Sequence, residues 1–113
     1  MPRFVTKAAV LILLFLAALA SWAGDAYWID VRTVDEYASG HVSAAVHIPY
    51  EEIGVRISEV TTDKDAEIYV YCRSGRRSGI AKAALDEAGF TRVVNAGGLE
   101  DALKKAAETA PER

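Results

Sequence analysis

Cys72 is the only cysteine in the chain, and it stands in the run Tyr71-Cys72-Arg73-Ser74-Gly75-Arg76-Arg77-Ser78. A thiol attacks as its thiolate. The free group ionises near pH 8.5, and cations or a helix N-terminus bring that down by one to several units. This run offers both. Arg73, Arg76 and Arg77 are permanently charged. Ser78 is read as opening a helix, whose positive dipole end then faces back toward the sulfur. Ser74 and Gly75 are small enough to let the backbone curl, so that successive N–H groups turn inward as an anion nest. The chemistry expected here is nucleophilic, with a thiolate as nucleophile and a small anion as its guest. Alone, a cysteine at a strand end reads as a small core residue, and three loop arginines read as solvated surface. Their coincidence at one strand-to-helix turn favours a reactive site.

The elements that must hold this run alternate along the chain. Tyr27-Trp28-Ile29-Asp30-Val31 is a strand by its aromatic and β-branched content. Thr33 or Asp35 is placed to cap a short helix over residues 34–39, stopped by Gly40. Ala45-Val46-His47-Ile48 reads as a second strand closed by Pro49. Residues 51–60 read as a helix, with Ile53 and Ile57 four apart on one face. Glu67-Ile68-Tyr69-Val70-Tyr71 is the clearest strand. The cysteine loop follows, then a helix over residues 78–88 with Gly89 as its stop. Residues 91–94 form a fourth strand candidate, and Gly97-Gly98 turns the chain into a last helix over 99–107. Strands alternating with helices predict an α/β domain with a mostly parallel sheet and helices on both faces. Ligands of such sheets bind beyond the carboxyl ends of the strands, where Cys72 stands.

The first residues read differently. Arg3 and Lys7 precede an uncharged apolar run over residues 8–20, and Ser21-Trp22-Ala23 presents small residues for cleavage. This is the pattern of a secretory signal over residues 1–23, with a cut after Ala20 as the alternative. The run is shorter than the roughly 20 residues needed to span a bilayer. Cleavage therefore leaves residues 24–113 as a single domain without stable membrane insertion. The whole 113-residue chain carries a net charge of −3, and loss of Arg3 and Lys7 makes it more acidic. Nucleic acid and anionic membranes are poor partners for such a chain. One cysteine cannot form an internal disulfide, so export to an oxidising compartment makes the lone thiol conspicuous.

Cys72 through Ser78 resembles the active-site loop of the single-domain rhodaneses, the thiosulfate sulfurtransferases. The resemblance extends to Asp30-Val31-Arg32, Glu36-Tyr37, Gly40-His41-Val42, Ala45, His47-Ile48-Pro49 and Asn95-Ala96-Gly97-Gly98-Leu99, and so covers residues 27–103. It implies a rhodanese-like fold and transfer in two steps. The Cys72 thiolate takes the outer sulfur of thiosulfate and releases sulfite; the persulfide then passes that sulfur to cyanide or a thiol acceptor. It also implies that Arg73, Ser74, Gly75, Arg76, Arg77 and Ser78 bind the substrate, through backbone N–H groups and arginines that hold the sulfonate. No metal or organic cofactor is implied. A periplasmic location and a monomer are expected. Mercaptopyruvate ranks behind thiosulfate as donor, because loops selective for it carry less charge. A non-catalytic sulfur carrier with this loop would load sulfur without fast turnover. Cysteine phosphatases with a related loop place an arginine six residues after the nucleophile. Here Arg76 and Arg77 follow at four and five, a shorter loop suited to a sulfur atom rather than a tetrahedral phosphate.

Asp30 and Arg32 are expected to pair at the end of the first strand, either as a brace for the loop or as a purely structural ion pair. His41 and His47 lack the companions of a zinc site and read as structural. Gly97-Gly98 reads as a tight turn near the site. Arg76 and Arg77 are both expected at the surface.

Overall fold

A computed structural model of the chain describes residues 26–109. The expected signal segment, residues 1–23, lies outside the described residues. Among the described residues, no helix is long and apolar enough to cross a membrane.

Among the described residues, four strands form one sheet: β1 (Ala26–Asp30), β2 (Val46–His47), β3 (Glu67–Tyr71) and β4 (Val93–Asn95). Their order is β2-β1-β3-β4, and every neighbouring pair is parallel. β1 and β3 form the centre, in register from Ala26 opposite Glu67 to Asp30 opposite Tyr71. Alternation along them builds a core on each face. Ile29, Val31, Ile68, Val70 and Cys72 point to one side, where Ile53, Ile57, Ala81 and Leu85 meet them. Trp28, Tyr69 and Tyr71 point to the other, beneath Val42, Ala45 and Ala102. Trp28 and Tyr69 stack there with ring centroids 4.5 Å apart.

Among the described residues, four α-helices flank the sheet: α1 (Val34–Ala38), α2 (Ile53–Arg56), α3 (Arg76–Glu87) and α4 (Leu99–Thr109). Residues of α2 and α3 pack on the first face, and residues of α1 and α4 on the second. The expected α/β architecture is the one observed. Thr33, not Asp35, caps α1, and it does so with a full capping box through Glu36.

Two expected helices need correction. The single helix expected over residues 51–60 is a broken segment, with 3₁₀ turns at Tyr50–Glu52 and Ile57–Glu59 on either side of the one-turn α2. Gly54 and the β-branched Ile53, Val55, Ile57 and Val60 are poor helix formers. Burial of Ile53 and Ile57 orders the segment instead. The second correction concerns α3, which begins at Arg76 rather than Ser78, with Gly75 as its N-cap at φ 97°. That backbone region costs glycine little and other residues more.

Candidate active site

Cys72 follows β3 directly and is buried. Its backbone N–H donates to the Gly97 carbonyl at 2.9 Å, which ties the strand end to the turn before α4. The chain then curls over the sulfur. The left-handed conformation of Gly75 turns its N–H inward, 3.0 Å from Cys72 Sγ. Ser78, also fully buried, is the third residue of α3 and sends its hydroxyl back to within 3.4 Å of the same sulfur. Burial pushes the Cys72 thiol up. The Ser78 hydroxyl and the N–H groups of Ser78, Ser74 and Gly75 outweigh it and bring the thiol down to about 7. Near neutral pH the group is therefore substantially thiolate.

The three arginines divide. Arg73 and Arg76 are exposed. Arg77 is half-buried, and its guanidinium meets the Glu36 carboxylate in a two-pronged pair, Nη1–Oε1 2.8 Å and Nη2–Oε2 3.0 Å. The surface expectation holds for Arg76 and is corrected for Arg77. The Arg77 guanidinium, followed by the Thr33 N–H, holds the Glu36 carboxyl down at about 2. Glu36 thus joins the start of α1 to the start of α3, a contact across 41 residues that sequence spacing does not reveal.

Asn95 is the second residue that sequence reasoning leaves unassigned. From the end of β4 its Oδ1 accepts from Ser78 Oγ at 2.7 Å and from the Gly97 N–H at 3.0 Å, while its Nδ2 donates to the Gly75 carbonyl at 3.0 Å. Only its place in the Asn95-Ala96-Gly97-Gly98-Leu99 run signalled it. The glycine turn itself lies beside the site as expected. A Cβ on Gly98 would sit 2.5 Å from the Arg73 carbonyl oxygen, so this approach of turn to loop requires glycine.

Asp30 and Arg32 pair as expected. Both are buried, joined at 2.7 Å between Nη2 and Oδ2, and Nη2 also donates to the Gly40 carbonyl at 2.7 Å. The Arg32 guanidinium lies 5.6 Å from the centre of the Tyr71 ring. The pair thus braces the residue before Cys72 rather than the sulfur itself. His47 Nε2 lies 2.8 Å from the Arg32 carbonyl, and His41 stacks on Tyr37 with centroids 3.8 Å apart. Among the described residues, no three His, Cys, Asp or Glu side chains cluster as metal ligands would.

A parallel α/β sheet, a cysteine at the carboxyl end of a central strand, and a curled N–H-lined loop running into a helix define a thiolate-loop domain. The chain belongs to the rhodanese-like family: residues 16–105 match the Rhodanese-like domain. It is 43% identical over 95 residues to the thiosulfate sulfurtransferase PspE of Escherichia coli K12, covering 84% of this chain and 90% of that one. Among solved structures it is similar to a rhodanese with anions from E. coli, at 47% identity and a TM-score of 0.66, over 68% of this chain and 91% of the other. The human single-domain sulfurtransferase TSTD1 is a more distant neighbour, with 26% identity and a TM-score of 0.62 over 80% and 90% of the two chains.

Proposed function

We propose that this sulfurtransferase carries the outer sulfur of thiosulfate on Cys72 and passes it to a thiol or to cyanide. The observation that carries this reading is the sulfur cradle: a buried Sγ with the Gly75 N–H at 3.0 Å and the Ser78 hydroxyl at 3.4 Å. In the first step the thiolate attacks the outer sulfur of thiosulfate. An Sγ–S bond forms, the S–S bond of thiosulfate breaks, and its electron pair leaves with sulfite. In the second step the acceptor attacks the terminal sulfur, the Sγ–S bond breaks, and the thiolate returns with that pair. Negative charge moves from Sγ to the terminal sulfur and back. Inward N–H groups stabilise it at both positions without reorganising.

The exposed Arg73 and Arg76 suit the sulfonate of thiosulfate, whereas Arg77, committed to Glu36, positions the start of α3. Ser74, Gly75 and Ser78 contribute the donors around the sulfur. Asp30 and Arg32 support the loop through Tyr71. That a solved relative is described as holding anions agrees with an anionic donor.

The mass of the thiosulfate-treated protein tests the reading. One sulfur, about 32 mass units as a reversible cysteine persulfide, is expected on Cys72 together with one equivalent of sulfite. Unchanged mass, or turnover that survives Cys72→Ala, overturns it. Loading without turnover to cyanide or thiols identifies a carrier instead.

We further infer export to the periplasm, with residues 1–23 as the signal peptide. The support is the order of basic, apolar and small residues. N-terminal sequencing of protein released by osmotic shock is expected to begin at residue 24, or at 21 for the alternative cut. An intact residue 1 overturns the inference.

A further inference from the structure

The Ser78 hydroxyl has one proton and two acceptors. Its oxygen lies 2.7 Å from Asn95 Oδ1 and 3.4 Å from Cys72 Sγ. The orientation of the Asn95 amide follows from its other partners. Nδ2 faces the Gly75 carbonyl and Oδ1 faces the Gly97 N–H, each at 3.0 Å. A flipped amide would set donor against donor and acceptor against acceptor. Oδ1 is thus held facing Ser78, and rotation about a single C–O bond decides which acceptor receives the proton.

We propose that Asn95 is a positioning residue that competes with Cys72 for the Ser78 proton, holding it while the sulfur is uncharged and yielding it when Sγ becomes a thiolate. The proposal rests on the persulfide cycle above. In that cycle Sγ is charged before attack, uncharged in the persulfide, and charged again as the acceptor removes the terminal sulfur. A hydroxyl with two stations follows this alternation with no movement of heavy atoms. Asn95 never touches the sulfur; it limits how strongly the hydroxyl stabilises the thiolate and so keeps the nucleophile from being over-stabilised.

The charged and titratable groups around the sulfur are Arg73 and Arg76 on the loop and Arg77 paired to Glu36 of α1. Tyr71 precedes the cysteine, Tyr50 packs against the same cluster, and Asp101 of α4 lies beside Gly97 and Gly98. The variants below leave all of them in place.

The thiolate absorbance of the protein, referenced to Cys72→Ser and followed against pH, reads a single group because Cys72 is the only cysteine. Ser78→Ala removes a hydrogen bond to a charged sulfur and is expected to raise the ionisation midpoint by about one pH unit. Asn95→Ala frees the hydroxyl for Sγ and is expected to lower the midpoint by about half a unit. Combined with Ser78→Ala, it is expected to add nothing. Asn95 is exposed at the end of β4, so its replacement keeps the core intact, and Ser78→Ala exchanges a buried hydroxyl for a hydrogen without adding volume. A midpoint that rises or stays unchanged in Asn95→Ala, or that falls by the same amount without Ser78, overturns the proposal. The readout needs no thiosulfate, so its failure is distinct from a failure of sulfur transfer.

Discussion

The first turns of α1 and α3 meet through one ion pair, yet they are built in opposite ways. At α1, Thr33 Oγ1 accepts the Glu36 N–H at 3.2 Å, the Glu36 carboxylate accepts the Thr33 N–H at 3.0 Å, and Asp35 and Glu36 sit at the positive end of the helix. Every rule of helix starting is followed there. At α3 the N-cap is Gly75, which has no side chain to cap the end, and the first turn holds Arg76 and Arg77 with no acidic residue. Cations at that end oppose the helix dipole. A helix that closes its own N-terminus leaves nothing for a ligand. One that turns its N–H groups onto a buried sulfur and adds positive charge is built around an anion. The five-residue α1 depends on its cap, whereas the twelve-residue α3 is held by the buried Ala81 and Leu85 and tolerates an unfavourable start.

Making the two starts alike is the sharpest way to break this contrast. Arg76→Glu gives α3 an acidic first turn. Helix electrostatics then improve, so the thermal midpoint is expected to hold or rise slightly. The charge facing a doubly negative donor changes by two, and kcat/KM for thiosulfate is expected to fall on the order of a hundredfold at low salt, less at high salt. Equal thiosulfate kinetics in Arg76→Glu and wild type would remove Arg76 from the anion site. The open start also acts on the sulfur. With the thiol at about 7, kcat/KM is expected to rise with pH and level off above neutrality. At pH 6 it is expected to be about tenfold below its plateau, following the thiolate fraction. A midpoint near that of a free cysteine would mean that the Gly75 and Ser78 donors leave the ionisation untouched.

The same contrast explains what the sequence made legible. β1 and β3 were readable because their side chains alternate between two buried faces, and α1 because Thr33 and Glu36 spell a local capping signal. α3 starts two residues earlier than Ser78, on two arginines that oppose the dipole of a first turn, and this departure from helix rules marks the site. The segment after Pro49 misled because Ile53 and Ile57 keep helical spacing while Gly54 and β-branched neighbours break the helix. Cys72 was found from its run and from its place at a strand end. Glu36 and Asn95 were not, because their contacts to Arg77 and Ser78 span 41 and 17 residues. Such pairings exist only once parallel strands bring separate loops to one edge of the sheet.

Smaller effects test whether the two starts act as one unit. Glu36→Gln removes a half-buried two-pronged pair and is expected to cost about 1–2 kcal/mol in urea unfolding at pH 7. The Glu36 carboxyl falls from its ordinary 4.5 to about 2 on folding, so its contribution is full above pH 4.5 and is lost as pH drops through 2. The stability gap between wild type and Glu36→Gln is therefore expected to narrow in acid. A constant gap would assign the loss to packing rather than charge. Arg77, released from Glu36, is also expected to let the start of α3 shift and lower kcat severalfold.

Thr33→Ala is the mildest change and separates the two roles of Glu36. It removes the hydroxyl that accepts the Glu36 N–H and lies 3.1 Å from the Glu36 carboxylate, a cap contact worth about 1 kcal/mol. The backbone N–H at position 33 still reaches the Glu36 carboxylate, and both contacts of that carboxylate to Arg77 remain. Stability is thus expected to fall by about as much as a lost cap costs, with thiosulfate turnover within about twofold of wild type, since no donor to the sulfur has moved. If turnover instead falls as far as it does in Glu36→Gln, the geometry of α1 reaches the sulfur cradle as a rigid whole. The capped start would then be part of the site, not merely the anchor for one of its arginines.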